Sequence, residues 1–99
     1  MIMRLWRGWT QVEDRVAYAN YVTATGIAEY LQTPGNRGAQ LVSRLDGDRV
    51  EFLTISFWED YESIKAFAGG DITQAVFYPE DDRFLTDRET TVAHYELHE

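Results

Sequence analysis

The sequence predicts an α+β domain in which two helices cover one face of a four-stranded antiparallel sheet. Three observations predict it. Glu51 to Gly70 (EFLTISFWEDYESIKAFAGG) reads as a strand running directly into a helix: Phe52 to Trp58 is rich in β-branched and aromatic residues, and Asp60 is placed to cap the helix. An apolar stripe at helical spacing runs upstream through Val12, Val16, Ala19, Thr23, Ile27 and Tyr30 or Leu31. Between these lies Asp46-Gly-Asp48, a pair of residue types suited to the positive dihedrals of a tight hairpin turn.

In chain order, Met1 to Thr10 is the first strand, with Met3, Leu5 and Trp9 on one face and Ile2 and Trp6 on the other. Large apolar groups on both faces predict a strand in the interior of a sheet. Arg4 and Arg7 interrupt the two faces, one each, and are expected to snorkel or to pair with a carboxylate at the sheet edge. Thr10-Gln-Val-Glu13 has the spacing of a capping box and starts the first helix. Gly26 is a weak point of that helix, costing about 1 kcal/mol relative to alanine, where it is expected to bend or restart. Tyr18 and Tyr21 read as packing and surface residues.

Thr33 to Gly38 (TPGNRG) is a loop, and because it leads into a strand and not from a strand into a helix, its glycines do not suggest a phosphate cradle. Ala39 to Leu45 alternates as a strand with one wetter face, and the third strand is the Phe52–Trp58 stretch. The second helix carries Tyr61, Ile64, Phe67 and Ala68 at helical spacing and stops at Gly69-Gly70. A short helical turn is expected over Asp71 to Phe77. Pro79 then opens another short helix, whose first turn holds Glu80, Asp81 and Asp82, where the helix dipole favours negative charge without a metal. Glu89 to His98 is the last strand, with Val92, His94, Glu96 and His98 facing one way and Thr91, Ala93, Tyr95 and Leu97 the other. The order is that of the split βαβ, ferredoxin-like fold.

Composition limits the function. The 99 residues are read as one domain, residues 1–99, whose single core is modest at that size. Seventeen Asp and Glu against nine Lys and Arg give a net charge of −8, which argues against nucleic acid and against anionic membrane surfaces as partners. With no Cys, disulfides, thiolate metal sites and a Cys nucleophile are excluded. No apolar run approaches the ~20 residues of a membrane span and no signal-peptide core opens the chain, so a cytoplasmic location is expected. The first and third strands are apolar on both faces, and the helices cover only one. A second copy packed sheet to sheet is the simplest cover for the other, which predicts a two-fold dimer.

These residues also carry a resemblance. Ser56-Phe-Trp58 ending the third strand, Asp60 to Gly70 as the next helix, and the closing strand His94-Tyr95-Glu96 resemble the antibiotic biosynthesis monooxygenase type of dimeric α+β barrel. The superfamily includes heme-degrading monooxygenases. The resemblance implies a homodimer with a small apolar pocket between sheet and helices in each subunit. In some relatives such a pocket oxidises aromatic polyketides with molecular oxygen and neither metal nor flavin. The heme-degrading branch uses an Asn on the first strand, a Trp in the second helix and a His soon after it. Here the first strand has no Asn, Phe67 stands about where the Trp would be, and Asp71 to Tyr78 has no His, so no cofactor is expected.

Cofactor-free oxygenation needs a base, a group that holds an anion, and a dry wall. His94 has an unperturbed pKa suited to a base near neutral pH, and Arg4 or Arg7 is suited to holding an enolate or phenolate. Trp6, Trp58, Phe67, Phe77 and Tyr78 are the candidate substrate wall, with Trp9 a further aromatic. No metal site is expected, since His94 and His98 stand roughly 13 Å apart along one strand. The function expected is therefore a cofactor-independent monooxygenase acting on an aromatic or polyketide-like small molecule, with a non-catalytic small-molecule-binding dimer as the alternative.

Overall fold

The structure, a computed structural model, describes residues 1–98. Its elements are β1 (Ile2–Gln11), a 3-10 turn (Val12–Asp14), α1 (Arg15–Val22), a π-helical segment (Thr23–Ile27), α2 (Ala28–Gln32), β2 (Asn36–Asp46), β3 (Arg49–Trp58), α3 (Tyr61–Ala68), α4 (Asp81–Phe84), β4 (Leu85–Arg88) and β5 (Ala93–Glu96). The sheet runs β2-β3-β1-β4, with β5 also pairing β1, and every pairing is antiparallel. This is the α+β, ferredoxin-like architecture that the order of elements predicted.

Register assigns the two faces. Ile2, Arg4, Trp6, Gly8 and Thr10 of β1 alternate inward, and their partners Trp58, Ser56, Thr54, Phe52 and Val50 on β3 do the same. Each of these ten residues is buried. The core gathers there, with Tyr18, Val22, Ile27 and Tyr30 from the first helical stretch, Ile64 from α3 and Phe84 from α4 packed on the strand residues. The opposite face carries Met3, Leu5, Leu53, Ile55, Phe57 and Tyr95.

The helix α3 begins as expected, since the Asp60 carboxylate accepts from the Ser63 N–H at 2.8 Å. The first helix does not. Thr10 belongs to the sheet, paired with Val50 and Leu85, and its hydroxyl donates to the Gln11 carbonyl, so no capping box forms and the entry is a 3-10 turn. The Gly26 weak point appears as the π-helical segment Thr23–Ile27, a wider turn in an otherwise continuous helix.

Two further expectations are corrected. Asp71 to Phe77 has no helix: it runs as a turn and then an irregular extended segment, with Ala75 N–H donating to Thr90 O and Val92 N–H to Thr73 O. These cross-chain bonds satisfy backbone groups that a helix would otherwise have used. The expected last strand, Glu89 to His98, shortens to β5 (Ala93–Glu96), and an unexpected strand, β4 (Leu85–Arg88), precedes it. β4 pairs Gly8 to Thr10 and β5 pairs Ile2 to Leu5, while the residues between them bow outward to bond with residues 73–75. The bow leaves Trp6 Nε1 to donate to the Glu89 carbonyl at 2.7 Å.

Candidate functional site

The inner face of β1 holds an unusual side chain for a core strand. Arg4 is 2% exposed. Its Nη1 donates to the Ile72 carbonyl at 2.6 Å and meets His94 Nε2 at 3.0 Å, and its Nη2 donates to the Gln74 carbonyl at 3.1 Å. The Tyr30 hydroxyl stands beside it, Phe67 lies 5.9 Å beneath the guanidinium, and Nε has no hydrogen-bond partner among the described residues. Contrary to the expectation that it would snorkel or pair with a carboxylate at the sheet edge, Arg4 is buried and no carboxylate pairs with it among the described residues. Burial lowers its pKa, yet a guanidinium starts so high that it stays charged. The result is a buried cation that no anion neutralises among the described residues, which is costly to leave in place. Arg7, on the other face, does find carboxylates, at 3.3 Å from Glu51 and 3.7 Å from Glu89.

Arg4 lines a cavity between the sheet, the first helical stretch and the segment 75–81. Trp6 and Thr54 form its floor, Val22, Thr25 and Gly26 its helical wall, and Ala75, Val76, Phe77 and Tyr78 its roof, with Tyr18, Tyr30, Asp81 and Val92 closing the sides. It encloses about 410 Å³ counting the open mouth, of which about 30 Å³ admits the centre of a water molecule. At roughly 10–15 Å³ per water on that measure, two or three waters would fill it. Gly8 keeps the floor in shape, because the Trp6 indole folds back across it and a Cβ there would come within 2.3 Å of Trp6 Cη2.

The second charged group in the wall is Asp81, 5% exposed. It accepts from the Tyr78 N–H at 2.6 Å and from the Tyr18 hydroxyl at 3.4 Å. Burial pushes its carboxyl above the ordinary carboxylate range, and those two hydrogen bonds only partly oppose the shift. A carboxylate with a raised pKa in a cleft is suited to accepting a proton. In the sequence, Asp81 groups with Glu80 and Asp82 as dipole-favoured residues. The missing signal is the contact with Tyr18, 63 residues away, which no local pattern reveals.

Of the residues singled out from sequence, Arg4, Trp6, Phe77 and Tyr78 line the cavity, while His94, Trp58 and Phe67 do not. Trp58 is wholly buried behind Arg4, with Nε1 donating to Ser56 Oγ at 2.9 Å and Tyr30 and Phe67 against its ring at 6.0 Å. The Phe67 ring stacks edge-on to Tyr30 at 4.6 Å. His94 shares the inner face with Arg4, its cross-strand partner. A guanidinium has only donors, so the His94 Nε2 must be the acceptor and the ring proton sits on Nδ1. Burial first, and the Arg4 charge second, hold the imidazole below its ordinary pKa. His94 is thus a neutral ring whose lone pair is engaged, an arrangement that positions Arg4 and leaves Asp81 as the basic group inside the cavity. Tyr78 donates its hydroxyl to Glu29 at 2.6 Å, tying the roof to α2, and burial raises its pKa.

The residues present do not fit a heme. The candidate iron ligands near the site are engaged, His94 by Arg4, the Tyr78 hydroxyl by Glu29 and the Tyr18 hydroxyl by Asp81, with Tyr30 beside the Arg4 cation, and the free space is of the order of a few waters. Among the described residues no three His, Asp or Glu side chains converge as a metal site would require. None of the helices described is long and apolar enough to cross a membrane.

No protein-family model matches the sequence, and no curated protein matches it. Solved structures do. The chain is similar to the structure of Rv0793 from Mycobacterium tuberculosis, with a TM-score of 0.63 and 16% identity over 99% of this chain and 95% of that one. It is also similar to the heme-degrader MhuD (Rv3592) from Mycobacterium tuberculosis, in a structure with two hemes bound in its active site. There the TM-score is 0.59 and the identity 17%, over 98% of this chain and 95% of that one. At these identities the likeness is one of fold.

Proposed function

We propose that the chain is a cofactor-independent monooxygenase whose substrate is an aromatic or polyketide-like small molecule with an acidic enol or phenol form. One observation carries the reading: a buried guanidinium with no carboxylate partner among the described residues lines a cavity that is also lined by a buried carboxyl group whose pKa burial raises. Arg4 holds the oxygen on which negative charge develops; its Nε has no hydrogen-bond partner among the described residues. Asp81 takes the proton. Trp6, Phe77 and Tyr78 supply the apolar wall, Trp58 and Phe67 pack behind Arg4, and His94 keeps Arg4 oriented.

The reaction needs no outside reductant. Loss of a proton to Asp81 leaves a carbanion conjugated to the oxygen on Arg4. That anion passes an electron to molecular oxygen, and the resulting radical pair combines as a carbon-bound peroxide. Loss of water then leaves a carbonyl. A CH2 group and one O2 thus give C=O and one H2O, the carbon losing the four electrons that the oxygen gains. A substrate that fills the cavity would displace its water and so protect the anion from reprotonation by solvent.

Oxygen uptake with hydroquinones and anthrones tests the reading. Consumption above a no-protein control supports it, and none with any member of the panel removes it. The second reading, non-catalytic binding of the same anionic ligand, is favoured by the roof, which leaves so little free space that substrate and oxygen together require it to move. Ligand-induced stabilisation without oxygen uptake is its signature.

A homodimer is part of the same proposal. The sheet face carrying Met3, Leu5, Leu53, Ile55, Phe57 and Tyr95 has no helix against it among the described residues, and Tyr95 is 51% exposed. Packing against the same face of a second copy would bury it. Sedimentation at micromolar concentration giving only a monomer would count against it.

A further inference from the structure

The cavity has two polar ends of opposite sign, and the register fixes which end is which. Tyr30 stands beside Arg4 and packs 6.0 Å from Trp58, which pairs with Ile2. Tyr18, which donates to Asp81, packs 5.0 Å from Phe52, which pairs with Gly8. The cationic end therefore lies toward the start of β1 and the anionic end toward Gly8. From Arg4 to Gly8 is four residues, about 13 Å along a strand, and Arg4 and Asp81 both line the cavity that lies over this stretch. Between them the floor and walls are Trp6, Thr54, Val22, Thr25 and Gly26, none of them charged.

We propose that this cavity is built for a short hydroxyaryl anion: one aromatic ring bearing an oxyanion group that sits on Arg4 and, para to it, a hydroxyl that donates to Asp81. The proposal rests on the functional reading above for the cavity as the ligand site, and it narrows the ligand. Size selects a single ring, because the free space of two or three waters, each about 30 Å³ in the liquid, is of the order of one ring and not three. Charge selects the anion at the first end, where Arg4 has an unpartnered Nε and no carboxylate among the described residues. Acceptor capacity selects the hydroxyl at the second. Asp81 uses two of its roughly four acceptor positions on Tyr78 and Tyr18, the latter at a long 3.4 Å. Arg88 already places positive charge near Asp81, which favours a neutral donor over an ammonium group.

Calorimetric titration of the wild-type chain under nitrogen with benzoate, the ortho, meta and para hydroxybenzoates, and neutral 4-hydroxybenzamide tests the assignment. The para isomer binds about tenfold or more tightly than benzoate or the ortho isomer, and about tenfold or more tightly than the amide. In Asp81→Ala the preference for the para hydroxyl over benzoate disappears while benzoate still binds; in Arg4→Gln the preference for acid over amide disappears. The isomer series needs no variant, so it decides the matter even if a substitution prevents folding. Equal binding of benzoate and the para isomer, or no binding of any of the five at millimolar concentration, overturns the proposal. Because titration is anaerobic, it is independent of catalysis. The predicted selectivity with no oxygen uptake on any substrate sustains this proposal and sinks the oxygenase, whereas oxygen uptake without the selectivity does the reverse.

Discussion

Replacing Gly8 by alanine tests how the cavity floor is built. An alanine Cβ would lie 2.3 Å from Trp6 Cη2, 2.7 Å from Trp6 Cζ2 and 3.1 Å from Leu85 Cδ2. The indole cannot yield freely, because its Nε1 donates to the Glu89 carbonyl at 2.7 Å. Overpacking of this kind costs about 1–3 kcal/mol and the lost hydrogen bond about 1 kcal/mol more, against a gain of about 0.5–1 kcal/mol for alanine over glycine within a strand. The net loss is about 1–3.5 kcal/mol, which for a domain of this size lowers Tm by on the order of 4–28 °C. Differential scanning calorimetry reads it directly, and tryptophan fluorescence reports whether the indole has moved. The double variant Gly8→Ala/Trp6→Leu should recover much of the loss, since leucine lacks the colliding atoms, and such coupling is expected of residues in contact. A Gly8→Ala protein melting within a degree or two of wild type would refute the packing argument.

Three other outcomes are expected from the same contacts. Burial raises the Asp81 pKa in the folded state, so the folded chain holds that proton more tightly than the unfolded one. The contribution of Asp81 to stability is therefore greatest below the ordinary carboxylate range and is lost as pH rises toward the raised value; Asp81→Asn should remove that slope from a plot of Tm against pH. Asp60→Ala removes the acceptor for the Ser63 N–H and hydroxyl at the start of α3, and its Tm should fall by clearly less than that of Gly8→Ala. Ile55→Asp places a carboxylate in the middle of the open sheet face, opposite Leu5 and Gln40, and should turn a sedimenting dimer into a monomer with its helical circular dichroism intact.

The sheet was legible because its signals are local. Alternation through Phe52 to Trp58, the Asp46-Gly-Asp48 turn and the Asp60 cap each need only a few neighbouring residues, and each is present in the fold. The failures share a cause too. Thr10 and Glu13 have the right spacing for a capping box, but Thr10 is claimed by the sheet, between Val50 and Leu85. Residues 71–77 have no helix: the Ile72 and Gln74 carbonyls accept from Arg4, the Thr73 carbonyl accepts from Val92 N–H and Ala75 N–H donates to Thr90 O. The candidate site was half legible. Arg4, Trp6, Phe77 and Tyr78 can be named as cavity residues from residue type and strand face, and His94 does lie on the face of Arg4. What sequence could not supply was the sign of the neighbourhood: that His94 faces a cation, and that one of three successive carboxylates turns inward to Tyr18.

Oxygen uptake by wild type and Arg4→Gln, measured side by side with one substrate panel, bears most directly on the proposed chemistry. Glutamine keeps a polar amide but neither the charge nor the reach of Nη1 and Nη2 to the Ile72 and Gln74 carbonyls, so circular dichroism is measured alongside to separate loss of folding from loss of anion stabilisation. The expected result is consumption by wild type above the no-protein control and a fall of about a hundredfold or more in the folded variant, as for removal of an oxyanion-stabilising group. Equal rates in the two proteins would contradict the assignment of Arg4 and, with it, the reading of the cavity as an oxygenase site.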